Sequence, residues 1–237
     1  MSRKRRKPVS RKVINSQLSK LLSSEILASD NFYRAMTHRS MGGKHNERME
    51  FLGDSVLGLV ITSRLYEQLP NASEGYLSRL RASLVNEDSL ADLAIILSIS
   101  EHISLGSGEL KSGGFRRKSI LADAFEAVVG CIYLEQGINE ATQFILTVYE
   151  KRLDNLPLEN ALKDPKSRLQ ELLQSKGYNV PAYALLFITG EAHKQTFTAE
   201  CCVKPLNFCT KGIASSRRKA EQKAAASAIV KVKNLVT

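Results

Sequence analysis

The chain has 237 residues, of which 43% are hydrophobic and 24% are charged, a composition typical of a soluble globular protein. Its length suffices for one large domain or two smaller ones, and no apolar run reaches the length needed to cross a membrane. The N-terminus also lacks the apolar core of a signal peptide, so the sequence predicts a cytoplasmic protein with no membrane partner.

The net charge of +10 is distributed unevenly along the chain. Residues 1–12 hold seven Lys and Arg and no acid, and residues 164–237 hold twelve Lys and Arg against five Asp and Glu. The span between them is therefore net acidic. Basic ends suit a polyanion and an acidic body suits cations, although a body that merely happens to be acidic fits the composition as well.

The predicted elements fall into four segments. Residues 1–12 are too polar and basic to fold alone and are predicted to be a disordered leader. From residue 13 to 152, apolar residues recur every three or four positions, which predicts an all-α domain. Residues 153–163 carry two prolines and little periodicity, as in a linker. Residues 164–237 alternate as helix, three strands and helix, which predicts a small α+β domain of order α-β-β-β-α.

Two carboxylate clusters lie in apolar parts of the acidic body. The segment "HNERMEFLGDSVL", residues 45–57, places Glu47, Glu50 and Asp54 on one helix face, and "ADAFEAVVG" places Asp123 and Glu126 three residues apart. Bare charge in such surroundings is costly. A set of oxygen ligands suits Mg²⁺, for which Mn²⁺ can substitute, and such an ion supports phosphodiester hydrolysis.

The four cysteines, in contrast, follow no metal-ligand spacing. Cys201 and Cys202 are adjacent in a predicted strand and therefore point to opposite faces. We predict that these two, with Cys131 and Cys209, are reduced packing residues.

The last predicted helix begins with Arg217, Arg218 and Lys219 in its first turn, where the helix dipole disfavours cations. Binding of a phosphate backbone at this end of the helix would explain the arrangement. The segments "KSRLQELLQ", "GEAHKQTFTAECCV" and "GIASSRRKAEQKAAASAI" resemble, in order, the double-stranded RNA-binding domain. Ala214 departs from that family, which usually has a second glycine there.

This resemblance implies RNA recognition by A-form shape rather than by sequence. Three regions would contact the duplex: a phosphate-binding cluster at the last helix, one loop residue at a minor groove, and the first helix at the next minor groove. In that order they are Arg217, Arg218 and Lys219; His193; and Ser167, Gln170 and Glu171. A loop-stabilising hydrogen bond is an equally open role for His193.

The acidic body resembles the endonuclease domain of the ribonuclease III family. "HNERMEFLGDSVL" differs from the family motif NERLEFLGDxVL only at Met49, and "THRS", "EGYLSRLRASLVNEDSLA" and "SILADAFEAVVGCIYLEQG" match in order. The resemblance implies four metal ligands: Glu50, Asp54, Asp123 and Glu126. It makes Asp54 and Glu126 catalytic, with Glu126 the most essential, and gives Glu47 a supporting role.

The same resemblance implies a Mg²⁺-dependent endoribonuclease that cuts both strands of double-stranded RNA and takes no small-molecule substrate. It implies 5′-phosphate and 3′-overhang products, processing of ribosomal RNA precursors and other structured RNAs, and a homodimer. Phe51, Leu52 and Val56 form an apolar stripe that either a partner or the domain's own core would cover.

Other interpretations stay open at this point. Glu74 matches a further carboxylate of the family, and Arg79 and Arg81 face either RNA phosphates or ion pairs on their own helix. The whole chain could also be a duplex-RNA binder that remodels or protects RNA without cutting, or a structural protein of the ribosome. The intact acidic set separates an enzyme from a pure binder, which has no need of it.

Overall fold

The computed structural model describes residues 17–191 and 194–236, so the predicted leader at 1–12 lies outside the described residues. The chain divides into two compact units between Leu156 and Pro157. The predicted fold class is confirmed: a helical first unit is followed by a small unit of helices and one antiparallel sheet. None of the helices in the described part of the chain has both the length and the apolar character that crossing a membrane requires.

The first unit contains seven α-helices between residues 17 and 156, and capping side chains fix where several of them begin. Ser23, Ser29, Ser73 and Asn86 each accept a hydrogen bond from a backbone N–H of the first turn that would otherwise lack a partner. The helices are α1 (Ser24–Ala28), α2 (Asp30–Ala35), α3 (Glu47–Gln68), α4 (Glu74–Leu84), α5 (Glu87–Ile96), α6 (Ser107–Lys111) and α7 (Lys118–Asp154).

The core of this unit forms around α3 and α7. Apolar side chains on the inner face of α3, such as Leu57 and Ile61, are fully buried together with Phe125 and Ile132 of α7. The helix α7 is interrupted at Gly137, whose φ of 84° lies outside the helical region. Glycine adopts such a positive φ without steric cost, so the chain can break the helix at this position.

The second unit packs two helices on one face of its sheet. Its elements are α8 (Glu159–Leu162), α9 (Pro165–Ser175), β1 (Ala182–Thr189), β2 (Thr196–Val203), β3 (Phe208–Ala214) and α10 (Arg217–Val236). The strands pair antiparallel in the order β1-β2-β3. Leu169 and Leu173 of α9, Cys201 and Val203 of β2 and Ala224 of α10 are buried together in its core. The segment 153–163, predicted as a linker, includes the one-turn helix α8.

The prediction for the cysteines is wrong for two of the four. Cys202 and Cys209 form a disulfide, whereas Cys131 and Cys201 are free and buried. The cause is the strand register, which places Cys202 directly opposite Cys209 on neighbouring strands with their Cα atoms 4.1 Å apart. Sequence spacing alone does not show that register.

Candidate functional site

The predicted acidic site forms where the backbones of α3 and α7 touch. A Cβ atom added to Gly53 would lie 1.8 Å from the carbonyl oxygen of Glu126, and one added to Gly130 would lie 2.3 Å from the carbonyl oxygen of Met49. Only glycine fits at either position without moving a helix. Because the backbones approach so closely, carboxylates within one or two turns of these glycines on both helices are brought to one place.

Three of the four predicted metal ligands meet at this crossing. Glu50 of α3 and Asp123 and Glu126 of α7 each offer a carboxylate oxygen, and these oxygens all lie within 4.8 Å of one another. All three residues are half-buried. Asp54 lies one helical turn beyond Glu50 and is exposed, so it stands beside this group of three.

The electrostatics of the cluster show that its negative charge is poorly compensated. Burial, reinforced by Asp123, Glu47 and Asp54, raises the pKa of Glu50 to about 7. Burial, reinforced by Asp54, Glu50 and Asp123, raises the pKa of Glu126 to about 8. Burial also raises the pKa of Asp123. A cation among these oxygens would offset both the burial and the repulsion, and an all-carboxylate set fits a hard divalent ion such as Mg²⁺.

Glu47 differs from the cluster because its charge is already paired. Its carboxylate contacts the Arg39 guanidinium at 3.0 Å and the His45 ring at 3.6 Å. Glu47 therefore shares a helix face with Glu50 and Asp54, but its paired charge suits a supporting position beside the cluster.

The further carboxylate matched on α4, Glu74, accepts a hydrogen bond from the Ser78 hydroxyl at 2.6 Å.

The two arginines left open by the sequence both lie on α4. Arg81 donates from Nη1 to the Thr62 hydroxyl on α3 at 3.4 Å. The Arg79 guanidinium lies against its own helix, where a Cβ added to Gly75 would be 3.3 Å from Nη1. Both contacts lie within the helical unit.

A buried histidine beside the cluster was missed by the sequence reasoning. His38, in the "THRS" segment, is close enough to Asp123 that its positive charge would lower the pKa of that carboxyl. Its Nδ1 lies 2.8 Å from the Ser40 hydroxyl, and Ser40 in turn accepts a hydrogen bond from the Gly106 backbone N–H at 2.9 Å. The available signal was the "THRS" motif, which matched the family in order but carried no assigned role.

In the second unit, the predicted phosphate-binding residues form an exposed cluster. Arg217, Arg218 and Lys219 occupy the first turn of α10, and all three are exposed. Directly before them, a Cβ added to Gly212 of β3 would lie 2.2 Å from the Ala220 carbonyl oxygen, so strand and helix touch by their backbones. Ala214 has no positive φ, which explains why this chain needs no second glycine there.

A second residue that the sequence reasoning missed holds this cluster in place. Glu221 is only 8% exposed, and its carboxylate accepts from Arg217 Nε at 2.9 Å and from Lys166 Nζ at 2.7 Å. One residue on, the Gln222 amide donates to Asp164 at 2.8 Å. These contacts tie the first turn of α10 to the start of α9. The available signal was the four-residue spacing from Arg217 to Glu221, which favours a helical ion pair.

The residues predicted to meet a minor groove are exposed on α9. Ser167 donates to Asp164 at 2.7 Å, and Glu171 pairs with Lys163 at 2.9 Å. Gln170 lies on the same exposed face. His193 lies outside the described residues.

Comparison with known proteins gives matches along most of the chain. The family described as Ribonuclease-III-like matches residues 29–153, and the family described as Double-stranded RNA binding motif matches residues 165–232. The protein named Ribonuclease 3 of Shewanella pealeana is 52% identical over 200 residues, which cover 84% of this chain and 88% of that protein. Ribonuclease 3 of Buchnera aphidicola from Acyrthosiphon pisum is 46% identical over 220 residues, with 93% and 97% covered.

Among solved structures, the chain is similar to the nuclease domain of ribonuclease III from Campylobacter jejuni. One such structure has a TM-score of 0.55 and 37% sequence identity, and the match covers 60% of this chain and 99% of that one. A second structure of the same domain gives a TM-score of 0.54 and 36% identity, with 60% and 97% covered.

Proposed function

Because the chain belongs to the ribonuclease III family and is an endoribonuclease of double-stranded RNA, we propose that it hydrolyses RNA phosphodiesters with a divalent cation held between α3 and α7. The observation that carries this proposal is the cluster of Glu50, Asp123 and Glu126 oxygens within 4.8 Å of one another. The two alternatives, a duplex binder that does not cut and a structural protein of the ribosome, leave both the cluster and the family membership unexplained.

In this proposal the four carboxylates hold the cation, which is Mg²⁺ with Mn²⁺ as a substitute. Glu50, Asp123 and Glu126 bind it from the crossing, and Asp54 adds its charge from the exposed side of α3. When bound, the ion supplies a water of lowered pKa and stabilises charge on the phosphate and the leaving oxygen. Cleavage depends most on Glu126, as its match to the family motif implies. Glu47 supports the site through its pairing with Arg39.

The second unit would hold the duplex. Arg217, Arg218 and Lys219 present charged donors to phosphate oxygens at the start of α10, and the carboxylate of Glu221 orients the first of them. On α9, Ser167, Gln170 and Glu171 would meet 2′-hydroxyls in a minor groove. Phosphates and 2′-hydroxyls are common to all duplex RNA, so this unit would read shape rather than sequence.

We further propose that the enzyme works as a homodimer formed through α3. Phe51, Leu59 and Tyr66 lie along that helix and are 78%, 59% and 72% exposed. Of the predicted apolar stripe, Phe51 is exposed, whereas Val56 is 6% exposed and packs within its own unit, which is the other cover that the sequence left open. The nuclease domain of the Campylobacter jejuni enzyme has a region involved in dimer formation. Exposed apolar side chains of this size suit a two-fold interface.

Two centres related by a two-fold axis would each cut one strand of the duplex. The products would be short duplexes with 5′-phosphates and 3′ overhangs. Ribosomal RNA precursors and other structured RNAs are the proposed substrates, because they contain long paired segments, and no small-molecule substrate is involved.

The test is cleavage of a long RNA duplex by the purified protein in Mg²⁺ or in EDTA. We expect cutting only in Mg²⁺, and its loss by several orders of magnitude in Glu126→Gln. Glu67→Gln, at an exposed carboxylate near the far end of α3, is the matched control and should retain full activity. A duplex that survives in Mg²⁺, or a Glu126→Gln variant as active as the parent, contradicts the assignment.

Binding is tested separately in EDTA, where cutting is absent. Arg218→Ala should weaken duplex binding and reduce the dependence of log affinity on log salt concentration by about one phosphate contact. Lys233→Ala, a basic residue near the opposite end of α10, serves as the control. An unchanged salt slope in Arg218→Ala counts against phosphate contact at the start of α10.

A further inference from the structure

We propose that the reduced chain binds a thiophilic divalent cation of the Zn²⁺ class through Cys202, Cys209 and Glu200, on the sheet of the second unit. These residues provide two sulfurs and a carboxylate, and their donor atoms all lie within 4.8 Å of one another. Neither the nuclease chemistry nor duplex binding uses them.

The strand register places all three donors on the open face of the sheet. Along β2, Ala199, Cys201 and Val203 are buried against the helices, and Glu200 and Cys202 alternate with them on the other face. Cys209 of β3 pairs directly with Cys202 and is exposed. The neighbouring thiol of Cys201 is excluded from the group because it faces the core.

The position separates this group from the proposed RNA contacts. Cys202 and Cys209 lie beside the connection between β2 and β3, whereas Phe197 and Ala214 pair at the end that leads into α10. Cys202 lies five positions beyond Phe197 along the extended strand, a distance of about 17 Å. A ligand on the thiol pair therefore leaves the basic cluster of α10 free.

The donor types select the class of ion. Thiolate ligands favour Zn²⁺ and similar soft ions over Mg²⁺, and a tetrahedral ion with Zn–S distances of about 2.3 Å holds two sulfurs about 3.8 Å apart. Directly opposed cysteines with Cα atoms 4.1 Å apart reach that separation by side-chain rotation alone. The Glu200 carboxylate lies 3.4 Å from the Cys202 sulfur and supplies the third ligand. Water completes the coordination on this exposed face.

The charges around the group also suit a bound cation. Two thiolates and a carboxylate around a divalent ion leave one net negative charge. Lys211 pairs with Glu200 in the register and lies on the same open face, so a cation is available to offset that charge.

The disulfide and the metal site exclude each other, because the sulfurs of the Cys202–Cys209 bond are not thiolates. An external thiol reduces the bond: two equivalents of reductant thiol are oxidised to their disulfide, and the protein gains two thiols. The metal ion then displaces one proton from each thiol as the two sulfur–metal bonds form. Metal binding therefore requires the reduced protein and protects it against renewed disulfide formation.

The experiment titrates the reduced, full-length protein with Co²⁺ under anaerobic conditions in excess Mg²⁺, which occupies the oxygen-only site. We expect a sulfur-to-cobalt charge-transfer band that saturates at one equivalent and is displaced by Zn²⁺. The oxidised protein should give no band. The band should disappear in Cys209→Ser and persist in Cys131→Ala, the control in the other unit.

Glu200→Gln tests the third ligand without touching either sulfur, and its fold is checked by circular dichroism. We expect an affinity for Co²⁺ lower by at least about tenfold. The absence of a saturable band in the reduced protein, or an equal band in Cys209→Ser, overturns the proposal. An unchanged affinity in Glu200→Gln overturns the part assigned to the carboxylate.

Discussion

The substitution Gly53→Ala tests whether the backbone contact between α3 and α7 builds the acidic cluster. The new Cβ atom would lie 1.8 Å from the Glu126 carbonyl oxygen, whereas ordinary contact begins at 3.4 Å, so the helices must separate locally by about 1.6 Å. Overpacking of this kind costs about 1–3 kcal/mol, and the better helix propensity of alanine offsets roughly 0.5–1 kcal/mol. We expect a net destabilisation of about 1–2 kcal/mol.

The effect on cleavage should exceed the effect on stability. Glu50 is on the displaced helix and Glu126 is on its neighbour, so their separation changes with the crossing. Misplacement of reacting groups by about 1 Å can cost on the order of 100-fold in rate. We therefore expect single-turnover cleavage in saturating Mg²⁺ to fall about 100-fold, with a weaker apparent affinity for Mg²⁺.

Gly58→Ala supplies the matched control on the same helix. A Cβ added at Gly58 meets nothing within 4 Å in its own chain, so alanine should leave cleavage unchanged and stabilise the protein by about 0.5–1 kcal/mol. Because Gly58 lies on the helix face proposed for dimer contact, sedimentation must show the parent's oligomeric state in this variant. Thermal unfolding and cleavage would be measured for both variants, with circular dichroism to confirm folding. If Gly53→Ala behaves like Gly58→Ala, the crossing does not set the geometry of the site.

Three further predictions concern pH, the second unit and assembly. Because the pKa of Glu50 is raised to about 7 and that of Glu126 to about 8, the folded metal-free protein keeps protons that the unfolded chain has released above pH 4.5. Its free energy of unfolding in EDTA should therefore fall as the pH rises from about 5 to 8, and the fall should be smaller in Glu126→Gln. A thermal unfolding temperature that rises over that range would refute this prediction. Glu221→Gln leaves two cationic partners uncompensated and should cost about 1–2 kcal/mol in urea unfolding of the second unit, whereas the exposed Glu171→Gln should cost less than about 0.5 kcal/mol; equal losses would contradict the role of Glu221. Phe51→Asp should convert a dimer to a monomer in sedimentation at micromolar concentration, and a dimer that persists would place the interface elsewhere.

The sequence predicted the chemistry of the site better than its geometry. Spacing on two helices placed Glu50, Asp123 and Glu126 among the candidate carboxylates, because residues three or four apart in a helix share a face. The same rule could not separate Glu47 from the cluster, since its charge is paired by Arg39, eight residues away and outside the helix.

The periodic pattern of apolar residues could not predict contacts between segments that are distant in the sequence. From the sequence, Gly53 indicates only a residue of low helix propensity. The crossing with α7 shows why a side chain is excluded there. Val56 follows the apolar pattern of the signature helix, yet that pattern cannot tell a side chain buried in its own unit from one that faces a partner. The Cys202–Cys209 disulfide likewise depends on a register set by the pairing of two strands.

The raised pKa values and the close crossing together explain why the acidic cluster can exist without unfolding the helices. When no cation is bound, protons retained by Glu50 and Glu126 near neutral pH reduce the repulsion among the carboxylates. A divalent cation must displace those protons to bind the same oxygens, so protons and metal compete for one site. The competition predicts that cleavage needs more Mg²⁺ at lower pH, whereas duplex binding by the basic cluster of α10, which uses no metal, does not. The two units thus respond differently to the same solution conditions.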